Sequence, residues 1–536
     1  MQLKVNFFKS KETLSQDDIG KLLALTGIVF GAWIRLIPPL LAGFPINDGG
    51  LFYVMLQSLI DNGFGLPEYI SYNGLSIPFA YPPLAFYIGG LVSTAFQIPL
   101  IDLIRWMPSI VTALVVVVFH DLARVILKSE FEAGIATVIF AFTPRALTWF
   151  VMGGGLTRSL GEMFLILAIR YVYSLFAKGG RKLLVLAILF CSLVALTHPE
   201  ATIHTIIVCL LIWAFQGRNQ AGIARAFSVA IGVLIITSFW WVTILSRYGL
   251  SPYFSAMQTG DQSPLVLVSN LFIAVTEEPY LTTIAVLGLI GLILKFSQRD
   301  YFLPAFYLLP LIIEPRNAAN VVIIPLALLA AIGINQMILK TLKDIGASKD
   351  PQPNLLQKIV TPLLITAFFL SLLINVGYFS LQLSKNHLNP GSLDAFIWVK
   401  NNTEANSVFV ILTGDTDSFC DGVQEWFPVF TKRSSLTTPQ GKEWFAGNAF
   451  SDYRDYLVDL QKCMNNDISC VENVVLQMDL EFDYLFIQKT ATSKLLCVPR
   501  GETYRGGNLI HSIDTNDSSY INIYKSNDVE IYAVEK

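Results

Sequence analysis

Long apolar runs separated by short polar connections make up most of the first 383 residues. The first run, 22–43, is long enough to cross a bilayer and lacks an A-x-A-like cleavage site, so we expect a retained helix rather than a removed signal. Eleven similar runs follow, at 84–101, 105–120, 133–152, 158–177, 182–197, 201–216, 226–246, 280–295, 301–313, 318–339 and 359–383. This pattern predicts a polytopic α-helical membrane protein.

The pattern changes after residue 384. Strand-like runs occur at 407–412, 483–488, 520–524 and 529–534, and residues 525–528 form a hairpin-type connection between the last two. Helical spacing of apolar residues extends over 452–463. We therefore expect a transmembrane domain over 1–384 and a small α/β domain over 385–536.

Composition agrees with a membrane protein. The 536 residues are 53% hydrophobic and 14% charged, with a mean hydropathy of +0.55. This excludes an ordinary soluble enzyme. The formal net charge of -3 gives no indication of a nucleic-acid partner, and none is expected.

Basic residues predict the orientation in the membrane, because short cytoplasmic loops are enriched in lysine and arginine. Lysines at 4, 9, 11 and 21 place the N-terminus in the cytoplasm, and lysines at 340, 343, 349 and 358 place the last connection there too. The loop 44–83 and the tail are then extracytoplasmic. An odd number of spans is required, so we expect 11 or 13.

The number of apolar runs is inconsistent with this topology in one part of the chain. Asp48 and His198 are both predicted outside, which requires an even number of crossings, but five apolar runs lie between them. Either one of the runs is re-entrant or one run contains two spans.

Cysteine positions support an extracytoplasmic tail. Four of the six cysteines, Cys420, Cys463, Cys470 and Cys497, fall in the tail, where oxidation is expected. Four cysteines allow three connectivities, and Cys463 and Cys470 are close enough in sequence to form a small loop.

The loop 44–83 contains the first candidate for chemistry. Asp48 follows the first span by a few residues and precedes an amphipathic stretch, 51–60. A carboxylate at headgroup depth, beside an interfacial helix, suits an enzyme that acts on a lipid-linked substrate. The alternative is that Asp48 only caps this helix, since aspartate is a favoured N-cap residue.

A second candidate cluster lies at the start of the run 201–216. Pro199 suits a first helical turn, and Glu200 and His204 share a helix face, so His198, Glu200 and His204 could converge on a metal or a phosphate. Alternatively, Glu200 complements the helix dipole and the histidines are interfacial residues.

Two arginines complete the outer face. Arg158 follows three glycines at the start of one helix, and Arg316 precedes another. Arginine binds phosphate by bidentate hydrogen bonds. Either arginine could instead be an ordinary interfacial anchor.

Several short motifs together resemble a known superfamily. These are the acid in the first external loop, Tyr81-Pro82-Pro83, Arg105-Trp106-Met107-Pro108-Ser109, and the external α/β tail. The chain resembles the GT-C superfamily of membrane glycosyltransferases, most closely relatives of the protein O-mannosyltransferases and of the aminoarabinose transferase of lipid A. In the tail, Glu425-Trp426-Phe427-Pro428 and Gln440-Gly441-Lys442-Glu443-Trp444 resemble uncharacterised prokaryotic members of the group, to which no mechanism is attached.

The resemblance implies a function. Such enzymes transfer a sugar from a polyprenyl-phosphate carrier to a glycan, lipid or protein acceptor with inversion, here at the outer face of the cell membrane. It implies that Asp48 is the catalytic base or a metal ligand and that Arg316 holds the donor phosphate. Many relatives have an Asp-Glu pair where this chain has Asp48-Gly49, so Glu200 or Glu68 could supply the second carboxylate.

The remaining site assignments are broader. Arg158, Tyr81, Glu200, His198 and His204 are the further candidates for substrate binding. A divalent cation is left open as a cofactor, with Asp48, Glu200 and His204 as candidate ligands.

Two other functions remain open at this stage. A transporter or flippase of lipid-linked saccharides would share the spans but would need functional charge near the bilayer midplane, where His120, Asp121, Glu162 and Arg170 are the candidates. A non-catalytic envelope assembly protein would depend on the tail and not on Asp48.

Overall fold

The computed structural model describes residues 15–257, 276–277, 281–315, 317–341, 361–495, 497–516 and 519–535. Arg316, a predicted substrate-binding residue, lies outside the described residues.

Each of the twelve apolar runs coincides with helical structure. The membrane part contains α1 to α15, which are Gln16–Ala42, Gly50–Asp61, Leu84–Phe96, Leu100–Leu127, Glu130–Ala141, Thr148–Val151, Gly155–Lys178, Arg181–Ala195, Pro199–Gln216, Gln220–Tyr248, Ser251–Met257, Thr283–Ser297, Phe302–Ile313, Ala318–Gly333 and Thr361–Leu383. A π-helical segment, Ile334–Leu339, continues α14.

Seven of the described helices are long and apolar enough to cross a bilayer, namely α1, α4, α7, α9, α10, α15, and α14 with its π-helical extension. An eighth span results if the bent pair around Pro144 counts as one. The runs at α3, α8, α12 and α13 form helices of only 12–15 residues. The prediction of 11 to 13 spans therefore requires that some of these shorter helices also cross. The multi-pass helical architecture itself is confirmed.

Helix α3 resolves the topology problem between Asp48 and His198. The backbone N–H of Leu84, where α3 begins, donates to the carbonyl of Leu196, near His198. The next helix, α4, starts close to Asp48, because Ile104 Cγ2 lies 3.1 Å from where a Cβ on Gly49 would be. Both ends of α3 thus lie at the Asp48 end of the helices, and the run 84–101 is the one that does not cross.

A sharp break divides the span formed by α5 and α6. The two parts meet at an angle of 84°, at Pro144, which cannot continue the backbone hydrogen bonding of a helix. The fully buried guanidinium of Arg35 donates to the carbonyls of Ala141 (2.9 Å) and Ala146 (3.0 Å) on either side of the break. The Arg35 guanidinium therefore donates hydrogen bonds to carbonyls that the bend leaves without a helical partner.

The first loop folds into α2 and a short hairpin. Strands β1 (Tyr69–Tyr72) and β2 (Leu75–Pro78) are antiparallel. Asn73 and Gly74 connect them with φ of 53° and 71°, as a type I′ turn requires.

The tail forms the predicted α/β domain. Its helices are α16 to α20, Pro390–Asn402, Gly422–Thr431, Ala449–Lys462, Ile468–Gln477 and Gly507–Asn516. Its strands are β3 to β9, Val408–Leu412, Ser434–Ser435, Tyr484–Gln488, Thr490–Leu495, Val498–Tyr504, Tyr520–Lys525 and Val529–Val534. A mixed five-stranded sheet has the order β4-β3-β5-β9-β8, with β3 parallel to β4 and β5. Its core strands and the final hairpin are those that the sequence predicts.

The tail packs directly on the first loop. Asn73 exchanges two hydrogen bonds with the backbone of Ser435, at 2.9 and 2.6 Å. The indole N–H of Trp426 donates to the carbonyl of Asn47 at 3.1 Å, and the Asn47 amide donates to the carbonyl of Phe419 at 3.0 Å. These contacts fix the position of α17 relative to Asp48.

Both tail disulfides form. Cys463 pairs with Cys470 across a separation of 7 residues, and Cys420 pairs with Cys497 across 77 residues. The second bond ties the loop before α17 to the β6–β7 hairpin. The membrane cysteines, Cys191 and Cys209, are free thiols.

We expect peptide mapping of protein purified without reductant to recover two cross-linked peptides, Cys420–Cys497 and Cys463–Cys470. Cross-links stabilise chiefly by limiting the unfolded chain, and more so for long loops, so Cys420→Ser with Cys497→Ser should lower the tail's thermal stability more than Cys463→Ser with Cys470→Ser. Four alkylatable thiols in the unreduced tail would contradict the pairing and the extracytoplasmic placement.

Candidate active site

The Asp48 side chain accepts two strong hydrogen bonds from residues at the start of α7. Its Oδ1 accepts from the backbone N–H of Gly154 at 2.7 Å, and its Oδ2 accepts from Arg158 Nη2 at 2.8 Å. The residue is only 9% exposed. A carboxylate with one backbone donor and one guanidinium partner has a fixed orientation.

Asp48 does not cap α2. The N-cap position is Gly49, and no side chain of that residue can accept a bond there. Instead Glu425, from the tail, accepts from the backbone N–H groups of Gly49 (3.0 Å) and Leu51 (3.1 Å). The capping alternative for Asp48 is therefore wrong, and a carboxyl group 376 positions away takes that role.

Glycines bring α7 into contact with Asp48. A Cβ on Gly153 would lie 1.9 Å from the Asp48 carbonyl oxygen, and one on Gly154 would lie 2.4 Å from its Oδ2. Any larger residue would displace the carboxylate. The glycine run that suggests a flexible loop in the sequence is required here for close packing.

Glu425 is the residue that the sequence analysis missed. Burial, and then the nearby negative charge of Asp48, raise the pKa of Glu425 to about 8. The Glu425 carboxyl is therefore mostly protonated at neutral pH. Among the candidates for a second carboxylate, Glu68 is exposed and Glu200 lies on the cavity wall. The tail motif that contains Glu425 was the only sequence signal for its role.

A cavity of about 540 Å³ joins these groups. Of the predicted site residues, Asp48, Tyr81, Arg158, His198 and Glu200 line it. The walls also include Trp149, Trp240, Glu314, Glu425, Gln440, Glu443 and Trp444. Helices of the membrane part, the first loop and the tail all contribute, so the cavity is complete only when the tail is docked.

Tyr81 occupies the junction between these three parts. Its hydroxyl lies 3.1 Å from Thr157 Oγ1, one residue before Arg158. Its ring makes edge contacts with His198 (6.2 Å between centroids) and Trp444 (5.9 Å). Burial raises the pKa of Tyr81 well above its usual value, so the phenol is neutral.

His198 and Glu200 start helix α9 as predicted. His198 is the N-cap, and its Nδ1 accepts from the backbone N–H of Ala201 at 3.3 Å. Glu200 Oε1 accepts from the Asn317 amide at 2.6 Å. Both side chains face the cavity, but each already has a protein partner.

His204 is separated from them. It is 1% exposed, and its Nε2 lies 3.1 Å from Glu314 Oε2. The cavity lining includes Glu314 but not His204. The predicted convergence of His198, Glu200 and His204 on one ligand is therefore not observed, because His204 points to the connection between α13 and α14.

No predicted metal set forms a compact cluster in the described part of the chain. Asp48, Glu200 and His204 do not bring three ligand atoms within 4.8 Å of one another. Among the described residues, the only group that meets this distance is Asp417, Cys420 and Cys497. Those two cysteines form a disulfide, so they cannot act as thiolate ligands. Oxygen ligands for a hard divalent cation are nevertheless plentiful, since Asp48, Glu200, Glu314, Glu425 and Glu443 all line the cavity.

A second, apolar cavity adjoins the first. Its volume is about 630 Å³, and its walls come from α7, α8, α9 and α10. Ala195 and Thr202 line both cavities. The charged site thus lies beside an apolar space between membrane helices.

Comparison with solved structures confirms the fold. A scan of protein-family models and a search of curated proteins find no match. The archaeal oligosaccharyltransferase AglB from Archaeoglobus fulgidus, solved with an inhibitory peptide and a dolichol-phosphate, superimposes with a TM-score of 0.56 at 13% identity over 87% of this chain and 69% of its own.

Two further structures are similar. ArnT from Cupriavidus metallidurans in the apo state gives a TM-score of 0.50 at 12% identity, covering 96% of this chain and 97% of its own. The arabinofuranosyltransferase AftD from Mycobacteria gives 0.52 at 15% identity over 98% of this chain and 40% of its own. These structural neighbours are GT-C glycosyltransferases. The chain therefore shares the multi-pass membrane fold of these structures, which is the fold that the sequence resemblance predicts.

Proposed function

We propose that the protein transfers a sugar from a polyprenyl-phosphate donor to an acceptor hydroxyl, with inversion, at the membrane face that carries Asp48. We expect this face to be the outer one. The observation that carries the proposal is the junction of two cavities, one containing Asp48 and Arg158 and the other apolar and lying between helices.

A lipid-linked donor fits this junction. The apolar cavity suits a polyprenyl chain, and the neighbouring polar cavity offers Arg158, whose side chain is 25% exposed, to the phosphate. The AglB structure that resembles this chain was solved with a dolichol-phosphate, which supports the same class of donor.

The transfer requires one base and a stabilised leaving group. In the proposed step the acceptor oxygen forms a bond to the anomeric carbon from the face opposite the phosphate. The carbon–oxygen bond to the phosphate breaks, and its electron pair stays on the leaving phosphate oxygen. The acceptor proton passes to the Asp48 carboxylate, which hydrogen bonds from Gly154 and Arg158 hold in place.

Charge balance favours a divalent cation in addition. Five carboxyl groups line the cavity, and Arg158, already paired with Asp48, is the only arginine or lysine among the lining residues that the structure describes. An anionic phosphate would be repelled unless another cation were present. Asp48 and the neighbouring carboxyl groups are the oxygen ligands available, and a hard cation held there would neutralise charge on the leaving phosphate.

The transporter alternative has less support. It needs functional charge near the bilayer midplane, but Asp121 and Arg170 pair with each other at 2.6 Å and line a separate cavity at the C-terminal ends of α4 and α7. His120 donates to or accepts from Thr137 Oγ1 at 2.9 Å. Only Glu162 is deeply buried, at 4% exposure.

We expect the purified protein to release polyprenyl phosphate from a polyprenyl-phosphate sugar, and Asp48→Asn to abolish this release. The substitution keeps the size of the side chain and an oxygen acceptor for Gly154 but removes the charge that accepts the proton. Quantifying released lipid phosphate, with a parallel chelator-treated sample, is the measurement. If Asp48→Asn turned over the donor at the wild-type rate, Asp48 would have no catalytic role. If chelation left turnover unchanged, a divalent cation would not be required.

Glu425 gives a prediction about pH. Because folding raises its pKa from the usual 4.5 to about 8, its protonation stabilises the docked tail, and this stabilisation is lost as pH rises through about 8. Glu425→Gln, which keeps a neutral acceptor for Gly49 and Leu51, should retain most donor cleavage at pH 7 and show a smaller decline between pH 7 and 9. Glu425→Ala should be impaired at both pH values, because two backbone N–H groups lose their acceptor.

A pH profile of donor cleavage for wild type and both variants is the measurement. If Glu425→Gln were as inactive at pH 7 as Asp48→Asn, the Glu425 carboxylate would have a direct chemical role.

Arg316 remains a predicted phosphate ligand. In the transferase, Arg316→Ala should cost about 2–4 kcal/mol of transition-state stabilisation, and Arg316→Lys should recover only part of it, because an ammonium cannot make the bidentate contact. The measurement is the rate of donor cleavage by wild type, Arg316→Ala and Arg316→Lys in one lipid preparation. Equal rates would exclude Arg316 from the site, whereas movement of intact donor without cleavage in wild type would favour the transporter.

A further inference from the structure

The tail segment Gln440-Gly441-Lys442-Glu443-Trp444, which we call the 440–444 segment, has no role in the step above, yet it forms one wall of the cavity. Gly441 has φ of +91°, and a Cβ there would lie 2.1 Å from Ile77 Cδ1 on strand β2. Only glycine therefore lets the segment pack this closely on the first loop.

Both ends of the segment are anchored. Before it, the Thr438 hydroxyl donates to the carbonyl of Gln424 at 2.7 Å, on the helix that carries Glu425. After it, the backbone N–H of Gly447 donates to Ser255 Oγ on α11 at 2.8 Å. The wall is thus fixed with respect to the reacting groups and to the membrane part.

Gln440 is the informative residue of this wall. It is 6% exposed and lines the cavity, and its buried Oε1 has no hydrogen-bond partner in the part of the chain that the structure describes. A buried amide oxygen without a protein partner is unfavourable, so its partner is water or a bound molecule in the cavity.

Trp444 and Glu443 stand beside it on the same wall. The Trp444 ring lies 5.9 Å from that of Tyr81, whose hydroxyl approaches Thr157 next to Arg158. Glu443 Oε2 accepts from the backbone N–H of Gly441 at 2.7 Å, which fixes the carboxylate. An amide, a carboxylate and an indole ring therefore face the cavity from one rigid segment.

We propose that the 440–444 segment is a carbohydrate-binding subsite that holds the acceptor, so that the acceptor is a glycan hydroxyl. This inference rests on the proposed glycosyl transfer. The Gln440 amide offers an acceptor and two donors, and the Glu443 carboxylate offers acceptors, which together match adjacent sugar hydroxyls. The Trp444 ring offers an apolar face to the C–H face of a pyranose or furanose ring.

A carbohydrate fits this wall better than a peptide. A sugar hydroxyl is both donor and acceptor, so it can satisfy the Gln440 oxygen and accept from its NH₂ group at once. Recognition of an extended peptide relies on a row of main-chain groups, as in strand addition. The 440–444 segment instead presents three side chains of mixed polarity.

The test measures transfer with purified full-length protein in lipid nanodiscs, using a radiolabelled polyprenyl-phosphate hexose or pentose. The acceptors are a panel of methyl pyranosides and furanosides, a panel of short oligosaccharides, and a serine- and threonine-rich peptide, with water as the acceptor in the blank. The subsite predicts transfer to at least one saccharide. Gln440→Ala and Trp444→Ala should each raise the KM for that saccharide roughly tenfold or more, with a smaller change in kcat.

Two controls separate binding from folding. Gln488→Ala removes another buried glutamine of the tail that does not line the cavity, and it should leave KM unchanged. Trp444→Phe keeps an aromatic face and should recover much of the loss in Trp444→Ala. Thermal unfolding of every variant is recorded in parallel.

The possible results are distinct. If the donor is cleaved in the blank but no saccharide accepts the sugar, whether or not the peptide does, the carbohydrate subsite is overturned. The proposed transferase is then left intact. A wild-type KM in Gln440→Ala and Trp444→Ala overturns the assignment of the subsite to this wall. No cleavage of any donor, even with water, overturns the proposed function, and the inference fails with it.

Discussion

The carboxylate of Asp48, held between the Gly154 N–H and the Arg158 guanidinium, is the interaction on which the arrangement of the site depends. Three parts of the chain must meet for it to form. The first loop supplies Asp48, the glycine run lets α7 approach it, and the break at Pro144 returns the chain to the same end of the helices. A charged group so enclosed needs each partner in place, because an unpaired buried carboxylate is costly.

The tail completes this site as well as covering it. Glu425 reaches the start of α2 from the tail and places a second carboxyl group beside Asp48. Burial and the neighbouring negative charge of Asp48 raise the pKa of Glu425, which favours its protonated form at the junction. The disulfide between Cys420 and Cys497 restrains the loop that leads into α17. The tail thereby joins the site to a domain that carries two disulfides.

The sequence predicted what local patterns encode. All twelve apolar runs are helical, the four main tail strands form one sheet, and Asp48 and Arg158 meet in one cavity. It could not predict which run fails to cross, because α3 is as apolar as a span and only its neighbours place both of its ends together. Glu425 and Gln440 were missed for the same reason. The role of Glu425 depends on contacts with residues hundreds of positions away, and that of Gln440 on its place in a cavity wall, and no local periodicity records either.

The central claim is that the paired Asp48 and Arg158 lie at a sugar–phosphate bond whose lipid tail lies between the helices. An electron cryo-microscopy structure of the full-length protein with a non-hydrolysable polyprenyl-phosphonate sugar tests it most directly. The account predicts the polyprenyl chain in the apolar cavity that shares Ala195 and Thr202 with the polar one, the phosphonate at about 3 Å from Arg158 or from a bound cation, and the anomeric carbon on the Asp48 side. A phosphonate bound away from the Asp48 cavity, with that cavity unchanged, would contradict it.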